Sequence, residues 1–146
     1  MRRPGSGFTL LELTVVLFIL ALVYAIAGPM LGDGSVGIDI TAATRQLSAG
    51  LRRARSVAVS ENTEAVLTLD VDGRSFSVTR DAKIYALPKK LVYTLVTAES
   101  EVTQGNVGAI RFYPDGSSTG GRITVSSGEV RQQVDVDWLT GRAHIL

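Results

Sequence analysis

The sequence predicts an α+β fold, in which a long amino-terminal helix, apolar along its first half and amphipathic along its second, packs on antiparallel β-sheet. Three observations carry that expectation. Residues 8–27 read FTLLELTVVLFILALVYAIA, apolar throughout except for Glu12. Ala43, Leu47, Leu51, Ala54 and Ala58 then recur at helical spacing and draw one apolar stripe down a second helical piece. Beyond Asn62 the periodicity changes to short alternating runs broken by turn signals, which is the pattern of strands.

At about 1.5 Å per residue, a helix over 8–27 just crosses a hydrocarbon core of about 30 Å. Arg2 and Arg3 precede it and the next basic residue is Arg45, so the positive-inside rule leaves the amino terminus in the cytoplasm. Two ordinary readings stay open at this point. One is a secretory signal with an A-x-A site at Ala25, Ile26 and Ala27; the other is a plain uncleaved anchor. Glu12 speaks against both, because a charged side chain inside a spanning segment costs roughly 2.5–3.5 kcal/mol or more and usually has a partner. The glycine-rich LGDGSVG at 31–37 reads as a hinge or local melt, and the second helical piece follows over 38–60. Arg45, Arg52, Arg53 and Arg55 lie mostly off its apolar stripe and read as a solvated face.

Strands are expected over 65–71, 74–79, 91–97, 109–113, 122–126, 129–136 and 142–146. Asp72-Gly73 is a hairpin signal between the first two, and Ser127-Gly128 and Thr140-Gly141 supply later turns. Residues 98–108 are expected to form a long, mobile loop.

Composition narrows the functional classes. The formal charge is +1, too small to require a polyanionic partner, and the absence of cysteine removes disulfides and thiolate metal sites. His144 is the sole histidine and no G-x-S-x-G elbow accompanies it, so a non-catalytic histidine is the expectation. Asp70-Val71-Asp72-Gly73 suggests a calcium loop only in part, since Ser75 stands where such a loop needs glycine. The glycine-rich stretch after Tyr113 has no following lysine and opens no helix, so it is not a phosphate-binding Walker loop. Pro114-Asp115-Gly116 fits a tight turn there, and the small residues after it allow close backbone approach.

Gly7 followed by Phe8-Thr9-Leu10-Leu11-Glu12 and an unbroken apolar helix resembles the amino-terminal signal of type IV pilins and type II secretion pseudopilins. That resemblance implies cleavage by prepilin peptidase between Gly7 and Phe8 and methylation of the new Phe8 amine. It also gives Glu12 and Pro29 roles in assembly, with Pro29 where pilin-like helices carry a kinking proline. The implied division is a leader over 1–7, a transmembrane and filament-core helix over 8–31, and a periplasmic pilin-like domain over 32–146. Losing Arg2 and Arg3 with the leader leaves 13 basic against 14 acidic residues, a formal −1.

The run Phe112-Tyr113-Pro114-Asp115-Gly116-Ser117-Ser118-Thr119-Gly120-Gly121-Arg122-Ile123 resembles the hallmark of the H-type minor pseudopilins, a group that includes FimT-like minor pilins. The family implies a structural, non-enzymatic subunit near the tip of a type II secretion pseudopilus, supporting protein export across the outer membrane, with no cofactor or metal. Its implied partners are the major pseudopilin, other minor pseudopilins, prepilin peptidase, the inner-membrane assembly platform and, before assembly, inner-membrane lipid. It would be a single-pass inner-membrane protein with a cytoplasmic amino terminus and a periplasmic domain. Gly141-Arg142-Ala143-His144 also resembles the terminal G-R-x-R element of DNA-binding FimT-like pilins, which makes Arg142 a candidate DNA contact in an uptake pilus. His144 replaces the second arginine and lacks an arginine's permanent charge, so a phosphate contact is weakened and no nucleic acid partner is expected.

Overall fold

Thr9 starts the helix: its hydroxyl accepts the Glu12 amide at 3.2 Å, the first bond of a Thr-x-x-Glu cap, and α1 then spans Leu10–Ser60. A computed structural model of the chain describes residues 9–98, 102–103 and 106–146, and the side chains of all of these except 26–35 and 102–103. The chain divides into two compact units, Met1–Val36 and Gly37–Leu146. The expected cleavage point at Gly7 and Phe8 lies outside the described residues.

The expected hinge at 31–37 is corrected, since helical hydrogen bonding continues through it. Glycine and aspartate are poor helix formers but keep their amide donors, and once turns exist on both sides the propagation step is cheap. Pro29 also falls inside α1, in the stretch whose side chains are not described. In the first unit the described apolar side chains from Leu10 to Tyr24 are exposed. Among the described residues no helix is long and apolar enough to cross a membrane; Phe8 lies outside them, and the side chains of 26–27 are not described.

In the second unit α1 closes on Asn62, whose positive φ of 50° makes the left-handed cap, with the Thr63 amide returning to the Ala58 carbonyl at 3.2 Å. Two antiparallel sheets follow. The first has five strands in the order β3(Ile84–Ala86), β2(Ser75–Val78), β1(Ala65–Asp70), β6(Val107–Phe112), β5(Val102–Thr103). The second has four, in the order β4(Val92–Thr97), β7(Gly121–Ser127), β8(Val130–Val136), β9(Ala143–Ile145). All seven expected strands are present within one residue at each end, except that β6 begins two residues earlier. β3 was not expected, and β5 occupies part of the expected loop at 98–108, of which 99–101 and 104–105 lie outside the described residues.

The β1–β2 turn shows how the local chemistry works. Asp70 Oδ1 accepts the Gly73 amide at 2.7 Å, but the left-handed residue is Arg74, at φ 49°, and not the glycine.

The helical stripe is buried as expected, and Ile40, Thr44 and Ser48 join Ala43, Leu47, Leu51, Ala54 and Ala58 on it. Thr44 can be buried because its hydroxyl donates to the Ile40 carbonyl at 2.7 Å. The stripe meets the first sheet at Gly50, where an added Cβ would lie 2.6 Å from Phe76 Cε2 and 3.0 Å from Leu67 Cδ1. The sheets themselves meet at Thr97, whose hydroxyl donates to the Ala109 carbonyl at 2.8 Å.

Gly50 and Gly37 therefore answer oppositely to alanine. Nothing lies within 4 Å of a Cβ at Gly37, so Gly37→Ala is expected to stabilise by up to about 1 kcal/mol through helix propensity. The Phe76 ring cannot yield easily, because it stacks on Tyr85 with centroids 4.9 Å apart. Gly50→Ala is therefore expected to destabilise by roughly 1–3 kcal/mol despite the same propensity gain. Urea midpoints of the two variants check this, and a shift of the same sign in both would contradict the packing.

Candidate functional site

Two excursions, one leading from the first sheet to the second and one within the second sheet, are carried against the late turns of α1, and together they contain Asp115, Gly116, Ser117, Ser118, Thr119, Gly120 and Arg142, with Gly121 opening the strand that follows the first. The first, residues 113–120, joins β6 to β7. Pro114 and Asp115 occupy the centre of a turn in which the Tyr113 carbonyl accepts the Gly116 amide at 2.9 Å. Gly116 then takes φ 87°, and the Tyr113 amide donates to the Ser117 carbonyl at 2.9 Å. Asp115 Oδ1 accepts both the Ser117 amide at 2.9 Å and the Ser117 hydroxyl at 2.6 Å. Those two bonds, the hydroxyl foremost, hold the Asp115 carboxyl below the usual carboxylate range.

The hydroxyls of Ser118 and Thr119 replace missing ladder partners. Ser118 Oγ donates to the Asp137 carbonyl at 3.1 Å and accepts the Gly120 amide at 3.0 Å; Thr119 Oγ1 accepts the Arg111 amide at 3.1 Å. Gly120, at φ 71°, passes the Trp138 backbone so closely that a Cβ would stand 3.1 Å from Trp138 Cβ. Gly121 faces the Val96 carbonyl and the Ile110 side chain, at 3.0 and 3.1 Å from a Cβ position.

The second excursion, residues 137–142, joins β8 to β9. Asp137 organises it by accepting the Leu139 amide at 3.0 Å, the Thr140 amide at 2.7 Å and the Thr140 hydroxyl at 2.9 Å. The Thr140 amide and hydroxyl bonds lead in holding the Asp137 carboxyl below its usual range. Gly141 turns the chain at φ 61°, and the Ser118 amide donates to the Trp138 carbonyl at 2.8 Å, tying this excursion to the first. Trp138 and Leu139 stand 66% and 63% exposed at its tip.

Arg55 joins both excursions to the helix. Its Nε donates to the Gly116 carbonyl at 3.2 Å and to the Thr140 carbonyl at 3.0 Å. The expectation of a solvated arginine face is corrected for this residue, which is half-buried and committed to the fold. Arg53 is also engaged, pairing with Asp81 at 3.0 Å, whereas Arg45 and Arg52 are exposed.

Arg142 is exposed, and Arg142, Ala143, His144, Arg52, Arg55 and Asp115 line an open groove of about 640 Å³ between α1 and β9. His144 sits on the edge strand β9, opposite Asp135 in the ladder. Burial pushes the Tyr93 hydroxyl up to about 12, and it donates to the Pro88 carbonyl at 3.1 Å, a structural role. Glu12 is exposed in the first unit, and its amide bond to Thr9 is a capping role that the sequence reading did not assign, although Thr-x-x-Glu is the pattern that signals one.

Comparison with known proteins bears on this arrangement. Residues 43–140 match the family model described as Type II transport protein GspH, and residues 2–28 match the Prokaryotic N-terminal methylation motif. The Type II secretion system protein H of Xanthomonas campestris pv. campestris is 32% identical over 141 residues, covering 97% of this chain and 83% of that protein. The fold is similar to the minor pseudopilin EpsH from the Type 2 Secretion System of Vibrio cholerae, with a TM-score of 0.59 at 13% identity, over 74% of this chain and 96% of that one. It is also similar to the Pseudomonas aeruginosa type IV minor pilin FimU, with a TM-score of 0.58 at 16% identity, over 73% and 87% of the two chains.

Arg55→Met is expected to lower stability by on the order of 1.5–3 kcal/mol, because two carbonyls lose a charged donor. Arg55→Lys is expected to recover little, since an ammonium lacks the planar nitrogen that reaches both oxygens. Chemical denaturation of the two variants decides, and a lysine variant as stable as wild type would reduce Arg55 to a simple charge.

Proposed function

The chain belongs to the type II transport protein GspH family, and from that premise we propose that it is a structural minor pseudopilin of a type II secretion pseudopilus. The observation that carries the reading is the joining, in one chain, of an amino-terminal methylation motif at 2–28 to a GspH domain at 43–140. The geometry supports a structural part. The glycines, the Ser117, Ser118 and Thr119 hydroxyls and the Asp115 carboxylate of the 113–120 run are engaged in holding the shape of this excursion, so the features that suggested a ligand loop serve shape instead.

In this reading prepilin peptidase removes residues 1–7 and Phe8 becomes the methylated amino terminus. The segment 8–31 anchors the subunit in the inner membrane and later enters the filament core, with the domain over 32–146 in the periplasm. The whole apolar run, counted from Phe8 through Ala27, is long enough for that passage. The subunit's partners are the major and other minor pseudopilins, the peptidase, the assembly platform and, before assembly, lipid; its place is near the filament tip. The secretion reading is favoured over the DNA-binding one, because the family model and the Xanthomonas relative are both type II secretion proteins and His144 stands where a second arginine would be.

Glu12 and Pro29 act in assembly. A charge in the apolar helix needs a partner, and cleavage supplies a cationic amine at Phe8. In a straight helix carried back to Phe8 that amine would lie about 6 Å from residue 12 along the axis, so a pair within one subunit would compete with the pair to a neighbour that would set the register of the filament.

Gly7→Lys is expected to leave a full-length precursor in the inner membrane, whereas mass spectrometry of the wild-type chain is expected to find Phe8 at its mature amino terminus. A mature chain beginning at Gly28 would establish ordinary signal peptidase cleavage and remove the assignment. Glu12→Leu is expected to be cleaved normally yet lost from sheared filaments, with secretion falling alongside. Glu12→Gln keeps the helix start and loses the charge, so it should fail in the same way. If Glu12→Gln assembles as wild type does, the residue serves the helix cap and not the partner.

A further inference from the structure

The groove between the late turns of α1 and β9 gathers positive charge that no ion pair of the fold takes up. Four arginines of the domain are paired with carboxylates: Arg53 with Asp81, Arg80 with Glu61, Arg111 with Glu64 and Arg122 with Asp135. Among the described residues, Arg45, Arg52, Arg55, Arg74, Arg131 and Arg142 have no carboxylate partner, and three of these six, Arg52, Arg55 and Arg142, line this groove. Arg52 bonds only to Ser48 on its own helix, Nη2 to Oγ at 3.1 Å and Nε to the carbonyl at 3.3 Å. Arg55 turns Nε to the Gly116 and Thr140 carbonyls, which holds its guanidinium in place at the wall. Val59, 48% exposed, and Ala143 give the groove an apolar patch beside the charges.

We propose that this groove binds the carboxylate of an acidic segment on another protein subunit, an inference that rests on the reading of the chain as a filament component. Its volume of about 640 Å³ matches one or two side chains rather than a duplex. Guanidinium groups suit a carboxylate because their planar donors can take both oxygens at once, and the aliphatic wall accepts the methylenes of a glutamate. A nucleic acid would need a row of cations along its phosphates. Here Asp115 stands in the lining, its carboxylate held ionised by Ser117, and the mature chain carries a formal −1. A single acidic side chain avoids Asp115, whereas a continuous phosphate backbone runs against it.

The test titrates the full mature chain in detergent with fluorescein-labelled hexaglutamate, and separately with a DNA duplex. Arg52→Glu and Arg142→Glu are each expected to weaken the peptide by tenfold or more, equivalent to about 1.4 kcal/mol. Arg45→Glu, an exposed arginine outside the groove, should leave it unchanged. Both groove side chains are exposed, so thermal midpoints near wild type should accompany the loss. Equal affinity in all variants, or a duplex that binds more tightly than the peptide with the same arginine dependence, overturns the proposal. In cells the groove variants should still begin at Phe8 but cross-link less to neighbouring subunits. Undiminished cross-linking overturns the groove and leaves the family reading standing, whereas a chain that does not begin at Phe8 counts against the family reading while the peptide titration still judges the groove.

Discussion

The bifurcated bond from Arg55 Nε to the carbonyls of Gly116 and Thr140 is the contact on which the distinctive half of the domain depends. Both carbonyls belong to segments that have left their ladders; the bond to Gly116 is part-buried and the bond to Thr140 exposed, and a part-buried backbone oxygen without a partner costs of the order of a lost hydrogen bond. A helix cannot offer backbone donors from its middle turns, so a side chain must do it. Arginine suits because it stays charged and reaches from the helix without giving up its packing. The two glycines follow from the same contact. A Cβ at Gly116 would approach Arg55 Nη2 to 2.9 Å, and one at Gly141 would stand 3.2 Å from Arg55 Cδ and closer still to the Gly116 carbonyl. Three residues remote in sequence are therefore specified together.

The rest of the loop chemistry is a substitution of side chains for absent strands. Ser118, Thr119, Asp115 and Asp137 each bond backbone groups a few residues away or across to the other excursion, the usual competition of short polar side chains with regular structure. Such a run looks like a ligand loop in sequence because ligand loops need the same small, polar, left-handed residues. The distinction lies in what remains unpaired. In residues 113–120 the Ser117, Ser118 and Thr119 hydroxyls and Asp115 Oδ1 are taken up internally, while the cations without a carboxylate partner stand beside the loop and not within it.

Much of the fold was legible because its signals are local. The stripe from Ala43 to Ala58 carries its period on its surface, and strands with one buried face alternate, as Ala65, Leu67 and Leu69 do. What escaped reading depends on distant partners. β3 is a short edge strand whose Ile84 and Ala86 are exposed, so no alternation marks it, and it exists because β2 offers a free edge. Gly73 looked like the residue that turns the hairpin, yet Asp70 caps its amide and the left-handed step falls to Arg74. Arg55 resembled its neighbours on a polar face, and nothing near it in sequence points to carbonyls at 116 and 140. The glycines at 31–37 were read as a break, but weak helix formers between two established helical segments cost less than a new pair of helix ends.

The first unit raises a different question of driving force. From Leu10 to Tyr24 the large apolar side chains are exposed, so in water this helix would have to be covered. Lipid covers it as well as protein does, and moving an apolar helix from lipid to a bundle of similar helices gains little from the hydrophobic effect. A filament core made of such helices must therefore be held by something lipid cannot supply: close packing, or a polar contact that has no satisfactory partner in hydrocarbon. Across 9–25 the sequence offers one charge, Glu12, placed at the third helical position, where the helix start already favours an acid. That placement lets the carboxylate rest at modest cost while the subunit is alone, and it leaves the group available when a neighbour presents a cation. In the proposed reading, the balance between those two states, rather than burial of apolar surface, would set whether a subunit stays in the membrane or joins the filament.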